Sequence, residues 1–276
     1  MKTTGKIIAI GAGVIGAAAL LMIFEGTKGN ATSRAILAQA KQEPAYRVQG
    51  ELVSVVIPTY VEEAHIADTL SAIQNQTYSP IETVISDDSN SESMIDTLVI
   101  GDRYDATFAH TYIKNISMGR NLGARAANAD ILIFLDADCI MASDFVEKLV
   151  ADLNIDGVKL SHGVDVWHGK DDILLQGRRV IWNHAIKPFY YTTGRGVAIR
   201  ASDFREIGGY NEDIDPMKVG QREDTDLGKR VRDKWGASSI FFDRSACVSE
   251  PTRRPMSMPG MPAWQARAWR DGKAID

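Results

Sequence analysis

The chain has 276 residues, 45% of them hydrophobic, which is enough for one large globular domain with its own core. A formal net charge of −5 argues against a nucleic-acid-binding protein, because such proteins concentrate basic residues on one surface. The two cysteines, Cys139 and Cys247, lack CxxC spacing, which argues against a disulfide scaffold or a cysteine-based zinc site.

The N-terminal part contains a run without charged or polar side chains, residues 7–24. As a helix this run would extend roughly 27 Å, which is close to the hydrocarbon thickness of a bilayer. It predicts one transmembrane helix within residues 1–25. A partly helical connector over residues 26–50 follows, interrupted by Pro44 and Gly50.

Two other interpretations of this run are open. It contains a GxGxxG pattern at residues 11–16, which in a dinucleotide-binding unit forms a tight turn around a pyrophosphate. That unit needs a second strand ending in an acidic residue about 20 residues later, whereas residues 28–42 have helical character. The alternative is a cleaved signal peptide, although its apolar core is usually shorter, about 7–15 residues.

From Glu51 onwards, strand patterns alternate with helix patterns. The predicted strands cover residues 52–57, 81–85 and 131–135. The predicted helices between them cover residues 64–73 and 119–129. The continuous β-branched and apolar runs are typical of strands buried on both faces. The alternation predicts an α/β fold with a mostly parallel sheet over residues 51–250, in which ligands bind at the carboxyl ends of the strands.

Acidic residues follow the last of these strands directly, as Asp136-Ala137-Asp138. Two carboxylates at i and i+2 can point into one cleft, where a cation between them or a shared proton relieves their repulsion. Hard oxygen ligands favour Mg²⁺ or Mn²⁺. The alternative is a solvated acidic turn, since acidic residues are common on protein surfaces.

Asp87 and Asp88 follow the second strand in the same way. A carboxylate only accepts hydrogen bonds, so one at this position suits the N–H of a uracil or the hydroxyls of a ribose. The alternative is capping of the following helix by Asp88 or Ser89.

A third acidic group, Glu223, Asp224 and Asp226, lies in the first turn of a predicted helix. Single acidic residues there are ordinary partners of the helix dipole. Three in four residues exceed that need, and one that faces a substrate cleft could act as a general base.

Taken in order, these motifs resemble the family-2 glycosyltransferases of the GT-A fold. The resemblance spans about residues 51–250. Its segments are VSVVIPTYVEE (53–63), ETVISDDSNSES (82–93), MGRNLGARAANADILIFLDADC (118–139), TTGRGVAIRASDFREIGGYNEDI (192–214) and REDTDLGKRVR (222–232).

The resemblance implies that the protein transfers a sugar from a nucleotide-diphosphate donor, most of all a UDP-sugar. The transfer would depend on Mn²⁺ or Mg²⁺ and would invert the anomeric configuration. The acceptor would be a hydroxyl of a glycan or a glycolipid. The chain lacks the QxxRW motif of processive synthases, which implies non-processive transfer. The family often has the sequence DDGS after its second strand, whereas this chain has DDSN at residues 87–90.

The resemblance also implies roles for single residues. Donor-binding positions would be Pro58, Thr59, Tyr60, Glu62, Asp88, Arg120, Asp136 and Ala137. Asp138 would be the direct metal ligand, Asp136 would lie nearer the sugar or ribose, and Asp224 would be the catalytic base. The sugar and acceptor site would be bordered by Gly194, Arg195, Gly196 and Glu223.

The C-terminal tail, residues 251–276, is basic and aromatic. Arg253 and Arg254 could neutralise the leaving diphosphate, because a guanidinium pairs with phosphate through two hydrogen bonds. A basic tail near a membrane surface is the alternative.

Two rival functions remain. A polyprenyl-phosphate glycosyl synthase would share the fold and the membrane, and an inactive nucleotide-sugar-binding protein would keep the fold without the reaction. The expected location is a membrane, crossed once. The charges on both sides of the run do not fix its orientation, and a cytoplasmic catalytic domain is expected because prokaryotic nucleotide sugars are cytosolic.

Overall fold

The computed structural model describes residues 3–168, 176–177, 180, 192, 195–214 and 222–251, with the backbone alone for residues 3–20, 91, 167 and 168. The helices are α1 (Thr3–Gln39), α2 (Ile66–Gln74), α3 (Ser91–Asp102), α4 (Ile116–Ala126), α5 (Phe145–Leu153), α6 (Ala201–Glu206) and α7 (Glu223–Trp235). The strands are β1 (Val48–Thr59), β2 (Tyr78–Asp87), β3 (Thr107–His110), β4 (Ile131–Phe134), β5 (Ile140–Met141), β6 (Leu160–His168), β7 (Val197–Arg200) and β8 (Ile240–Pro251).

All these strands form one sheet in the order β3-β2-β1-β4-β7-β6-β8-β5. The half from β3 to β4 is parallel throughout. In the other half, β7 is antiparallel to both β4 and β6, β8 is parallel to β6, and β5 is antiparallel to β8. The predicted α/β fold with a central sheet is therefore confirmed. The sheet is mixed rather than mostly parallel, because β7 lies beside β4 and runs in the opposite direction.

The two faces of the sheet explain why β1 and β4 have continuous apolar sequences. Val55, Ile57 and Ile133 face a core cluster that includes residues of α2 and α5. Their neighbours Val56 and Leu132 face a second cluster that includes residues of α6 and α7. Since helices cover both faces, successive residues of each strand are buried, and the carboxyl ends of the strands are left as the open edge.

The second half of α1 packs against the far half of the sheet. Ile36 and Ala40 are buried in a cluster with residues of β5 and β6. The Ser33 hydroxyl lies 2.9 Å from that of Ser249 in β8. The predicted connector over residues 26–50 thus contains a helix that continues to Gln39 and docks on the domain, and β1 already begins at Val48.

The predicted transmembrane helix over residues 7–24 is not supported. Within the described part of the chain, no helix is long and apolar enough to cross a membrane. The helix α1 does include this run, but its described side chains begin at Leu21 and include Glu25 and Lys28. Gly194 and the tail positions Arg253 and Arg254 lie outside the described residues.

Candidate active site

The carboxyl ends of β1 and β2 are joined by side-chain and backbone hydrogen bonds. The Thr59 hydroxyl donates to Asp87 Oδ2 at 2.5 Å, and the Asp88 N–H donates to the Thr59 carbonyl at 2.9 Å. Asp87 is fully buried and also accepts from the Ser89 N–H at 2.9 Å. Asp87 therefore fixes the turn, and its neighbour Asp88 is the member of the pair that remains for a ligand.

Asp88 presents one carboxylate oxygen to this edge of the sheet. Its Oδ2 accepts from the Asn115 N–H at 2.7 Å, which holds the side chain at the start of α4. Its Oδ1 is buried and has no hydrogen-bond partner among the described residues. A buried acceptor without a partner is costly, so this oxygen needs an N–H or O–H donor that the described residues do not supply.

The loop after β1 holds the other predicted nucleotide contacts. Pro58 and Glu62 are partly buried, and Tyr60 is exposed. The Glu62 carbonyl accepts from the Ile66 N–H at 3.0 Å and so begins α2. Lys114 Nζ lies 5.0 Å from the centre of the Tyr60 ring. Lys114 thus adds a positive charge that the sequence had not indicated.

Arg120 joins two acidic segments that are distant in sequence. It lies on α4 with 1% of its surface exposed. Its Nη1 donates to Glu223 Oε1 at 2.7 Å and its Nη2 donates to Asp136 Oδ1 at 2.8 Å. Burial alone would lower the pKa of Arg120, but Tyr210 and the two carboxylates raise it above its ordinary value. Both terminal nitrogens hold protein carboxylates, and the donor-binding role that the resemblance implies for Arg120 stays a prediction.

Asp136, Asp138 and Cys139 bring three potential ligand atoms within 4.8 Å of one another. The thiol of Cys139 is buried and donates to Asp138 Oδ1 at 3.6 Å. Burial, together with both aspartates, raises the pKa of Cys139 well above its ordinary value, so it stays a neutral thiol. The two carboxylates are thus the chemically fitting ligands, and they suit a hard cation such as Mg²⁺ or Mn²⁺.

The turn that carries these carboxylates is fixed by its surroundings. The Ala137 carbonyl accepts from the Thr69 hydroxyl of α2 at 2.7 Å. Burial raises the pKa of Asp136 to about 6, although Arg120 and Arg195 oppose that rise. A positive ion beside Asp136 would favour its ionised form.

Arg195 approaches the same carboxylate from the start of β7. Its Nε pairs with Glu250 and lies 4.0 Å from Asp136 Oδ2, and its Nη1 lies 3.5 Å from Asp165 Oδ2. The adjacent Gly196 has φ +77°, and a Cβ there would lie 2.5 Å from the Phe145 ring. The structure therefore places predicted acceptor-side residues beside Asp136. Asp165 and Glu250, which orient Arg195, were not indicated by any sequence motif.

The carboxylates in the first turn of α7 contact different neighbours. Glu223 binds Arg120, and Asp226 Oδ2 accepts from Arg230 Nε at 2.7 Å. Asp224 lies between them, partly buried, and its Oδ1 accepts from the Thr225 N–H at 2.6 Å. Burial and then Glu223 raise the pKa of Asp224, while Arg120 opposes the rise. A carboxylate with a raised pKa is a stronger base than an ordinary aspartate.

A loop at residues 207–212 lies in the family-like segment 192–214, but no sequence motif indicated its contact with α4. Asn121 Nδ2 donates to the Tyr210 carbonyl at 2.9 Å, and the Tyr210 N–H donates to Asn121 Oδ1 at 2.9 Å. Gly209 has φ +69°, and a Cβ there would lie 2.7 Å from Asn121 Oδ1. In the sequence, Asn121 follows Arg120 directly and Tyr210 follows Gly209 directly. No other sequence signal points to the contact between the Asn121 side chain and the Tyr210 backbone.

A cavity of about 380 Å³ lies beside this loop. It is lined by Asn121, Gly208, Tyr210, Asn211, Glu212 and Arg230. None of the carboxylates that could bind a metal or act as the base lines it, so this cavity is adjacent to the candidate site and does not coincide with it.

Replacing Asn121 by Ala should lower the free energy of unfolding by about 1–3 kcal/mol, because it leaves the buried N–H and C=O of Tyr210 unpaired. Urea unfolding measures the loss. Asn128→Ala, which removes an exposed side-chain hydrogen bond to Glu82, is the matched control and should have the smaller effect. Equal losses would contradict a special role for the Asn121 contact.

The mixed sheet with its acidic strand ends defines a GT-A-like fold. Over 97% of its length the chain superimposes on 76% of a mannosyltransferase from Pyrobaculum calidifontis, solved in complex with GDP-Man and Mn²⁺. The TM-score is 0.57 and the sequence identity is 20%, a likeness that concerns the fold.

Residues 54–204 match the model of glycosyl transferase family 2. Since this match covers more than half of the chain, the protein belongs to that family, and the predicted family and enzyme class are confirmed.

Two curated relatives carry more specific names. A glucosyl-dolichyl phosphate glucuronosyltransferase of Haloferax volcanii is 26% identical over 229 residues, which is 71% of this chain and 68% of that protein. A validoxylamine A glucosyltransferase of Streptomyces hygroscopicus subsp. limoneus is 33% identical over 105 residues, 36% of this chain and 23% of that protein. The chain spans less than half the length of several curated relatives that it matches.

Proposed function

We propose that this protein transfers a sugar from a nucleotide-diphosphate donor, a UDP-sugar in the first place, to an acceptor hydroxyl with inversion. The observation that carries this proposal is the buried Arg120, which holds Asp136 and Glu223 at once. Asp138 follows the first carboxylate by two residues and Asp224 follows the second directly. The predicted metal ligand, Asp138, and the predicted base, Asp224, are therefore close in sequence to the two carboxylates that Arg120 joins.

The nucleoside would lie where β1 and β2 end. The unpartnered Oδ1 of Asp88 can accept an N–H of a base, and Tyr60 is exposed for stacking. Thr59 and the partly buried Pro58 and Glu62 would shape this part of the cleft. Both uracil and guanine have N–H donors, so the donor test must include both nucleotides.

The metal would be held by Asp138, with Asp136 as the second carboxylate. Its chemistry would be to stabilise the negative charge that leaves with the nucleotide. Solved relatives of the same fold contain Mn²⁺, such as the Pyrobaculum mannosyltransferase. The thiol of Cys139 stays neutral because burial raises its pKa, and it is not needed as a ligand.

Asp224 would take the proton from the acceptor hydroxyl as its oxygen attacks the anomeric carbon. A single displacement from the opposite face inverts the anomeric configuration, and no residue becomes glycosylated. Glu223 is held by Arg120, so it would border the sugar without competing for the role of base.

The acceptor would be a glycan or a lipid-linked glycan. The name of the Haloferax relative, which matches over 71% of this chain, supports a lipid-linked substrate and a location at a membrane. Arg195 and Gly196 would border the acceptor side together with Gly194, and Arg253 and Arg254 in the tail remain proposed partners of the leaving diphosphate. A screen of polyprenyl phosphates, lipid-linked glycans and soluble glycans separates a polyprenyl-phosphate glycosyl synthase from the proposed enzyme.

The experiment for this function is a panel of UDP- and GDP-sugars assayed for nucleotide release with Mn²⁺, Mg²⁺ or EDTA. We expect release from one donor class, abolished by EDTA. Asp138→Asn should raise the metal concentration needed for half-maximal rate by about tenfold or more, because one of two carboxylate ligands is lost. Asp144→Asn, in a surface pair with Lys148, is the control. Undiminished release in EDTA would contradict the metal role, and release from no donor would favour an inactive binding protein.

A further inference from the structure

The two carboxylate oxygens of Asp136 have different surroundings. Arg120 donates to Oδ1 at 2.8 Å. No hydrogen bond from a described residue reaches Oδ2, and 28% of the Asp136 side-chain surface is exposed. Since Asp136 is the second carboxylate proposed for the metal, Oδ2 is the atom through which it can bind the ion.

Arg195 is a cation that could occupy this oxygen. Its Nε lies 4.0 Å from Asp136 Oδ2, about 1 Å beyond the length of an ordinary hydrogen bond. A small movement of the guanidinium would bring the two groups into contact. Asp136 would then have one arginine on each oxygen, and neither oxygen would be available to a metal ion.

Two buried carboxylates hold Arg195 where it is. Glu250 pairs directly with its Nε, and Asp165 Oδ2 lies 3.5 Å from its Nη1. Glu250 is 6% exposed and Asp165 is 1% exposed, whereas 33% of the Arg195 side chain is exposed. The Nε of an arginine carries a single hydrogen, so an Nε–H that pairs with Glu250 is not available to Asp136.

The sheet brings these two carboxylates to the edge where the candidate site lies. Because β7 is antiparallel to both β4 and β6, the strands β4, β6 and β8 run in the same direction. Glu250 thus ends β8 on the edge where Asp136 follows β4. In the register of β6 with β8, Glu250 lies beside Trp167, two residues beyond Asp165, so Glu250 and Asp165 lie on one face of the sheet.

The number of carboxylates around Arg195 exceeds what one ion pair needs. Burying each carboxylate costs desolvation free energy, and a second buried carboxylate beside one guanidinium adds to this cost. A contact that served stability alone would be formed by one carboxylate. The arrangement therefore indicates that the position of the Arg195 guanidinium matters to the neighbouring site.

We propose that Glu250 is a positioning residue, which holds Arg195 away from Asp136 and thereby keeps Oδ2 open to the metal. Asp165 assists it through the terminal nitrogen of the same guanidinium. This inference rests on the metal role proposed for Asp136 and Asp138. Glu250 takes no part in a chemical step, and it acts on the metal site through Arg195.

Mn²⁺ binding in the absence of any nucleotide tests this role, measured from the electron paramagnetic resonance signal of the free ion. Glu250→Gln keeps the size of the side chain and removes the charge that holds Arg195. We expect it to bind Mn²⁺ about tenfold more weakly than wild type, as changes to residues that orient a metal ligand typically do. Asp165→Asn should act in the same direction with a smaller loss, since its oxygen lies farther from the guanidinium.

A double-mutant cycle separates this role from a simple loss of negative charge. In an Arg195→Gln background the guanidinium is absent, so Glu250→Gln should change the Mn²⁺ affinity by about twofold or less. A charge that acted directly on the ion would cause the same loss in both backgrounds. Glu206→Gln, which removes a negative charge from a surface pair with Lys234, is the control and should bind Mn²⁺ as wild type does. The same cycle with Asp165→Asn serves if Glu250→Gln does not fold.

The crystal structure of metal-free Glu250→Gln supplies a second readout. The Arg195 guanidinium should lie about 3 Å from Asp136 Oδ2, within hydrogen-bonding distance. In metal-free wild type it should keep the larger separation.

Three results would overturn the inference. They are an unchanged Mn²⁺ affinity in both Glu250→Gln and Asp165→Asn, an equal loss with and without the Arg195 guanidinium, and an Arg195 that keeps its place in Glu250→Gln. Each of these would leave the proposed function intact. If wild type itself binds no Mn²⁺, the metal role of the carboxylate pair fails and this inference with it.

Discussion

Asp224→Asn should lower kcat by a factor of about 100 or more, while the affinity for the donor changes little. The asparagine keeps the shape of the side chain and an oxygen that can accept from the Thr225 N–H at the start of α7. It loses the ability to take a proton from the acceptor. Steady-state transfer and calorimetric donor binding, measured on the same preparation, separate the two effects.

The pH dependence of transfer follows from the same residue. Burial and the adjacent Glu223 raise the pKa of Asp224. A base must be deprotonated, so kcat/KM should be constant at higher pH and fall as pH decreases through this raised pKa. The decrease should begin at a higher pH than for an ordinary aspartate, and Asp224→Asn should lack it.

Asp233→Asn is the matched control, because Asp233 lies on the same helix and forms an exposed pair with Lys229. It should retain the rate and pH profile of wild type. A rate for Asp224→Asn within a few-fold of that control would exclude Asp224 as the base.

Arg120→Met should lower the free energy of unfolding by about 3–5 kcal/mol at neutral pH, because it removes the positive partner that the buried Glu223 and the partly buried Asp136 share. The loss should begin to decrease at a pH above 6, because the pKa of Asp136, which is about 6 with Arg120 in place, rises further when this opposing positive charge is removed. The sign follows because a carboxylate with a higher pKa in the folded state destabilises that state only while it is ionised. Urea unfolding at several pH values measures both effects.

A second substitution tests whether the loss arises from the unpaired charges. Arg120→Met with Glu223→Gln should be more stable than Arg120→Met alone, since one of the uncompensated charges is removed. Lys148→Met, which breaks a surface pair with Asp144, should cost about 0–1 kcal/mol. If Arg120→Met cost no more than this control, Arg120 would not be the residue that joins the two acidic segments.

Three strands of the parallel half, β1, β2 and β4, were predictable because they have a strong local signal, whereas β3 was not predicted. Burial on both faces requires continuous apolar runs, and residues 52–57 and 131–135 show such runs. The antiparallel pairing of β7 with β4 has no such signal, since strand direction depends on the path of the chain between them. For the same reason, the docking of α1 on β6 and β8 was not predicted.

The candidate site was predictable as residue types but not as contacts. The acidic residues at strand ends and at the start of α7 indicated candidate carboxylates, and the family resemblance assigned roles to Asp136, Asp138 and Asp224 among them. The contact between Arg120 and Glu223 joins residues 103 positions apart, which no local pattern reveals. The contact between Asn121 and the backbone of Tyr210 was missed for the same reason, since it joins residues 89 positions apart.

The most direct measurement is anomalous diffraction from crystals grown with Mn²⁺ and the nucleoside diphosphate of the preferred donor. We predict one manganese peak at bonding distance from the Asp138 carboxylate, with the base of the nucleotide against Asp88 and with Asp224 facing the same cleft. A manganese peak elsewhere, or a nucleotide bound on a surface that Asp224 does not share, would contradict a single site built from the two acidic segments.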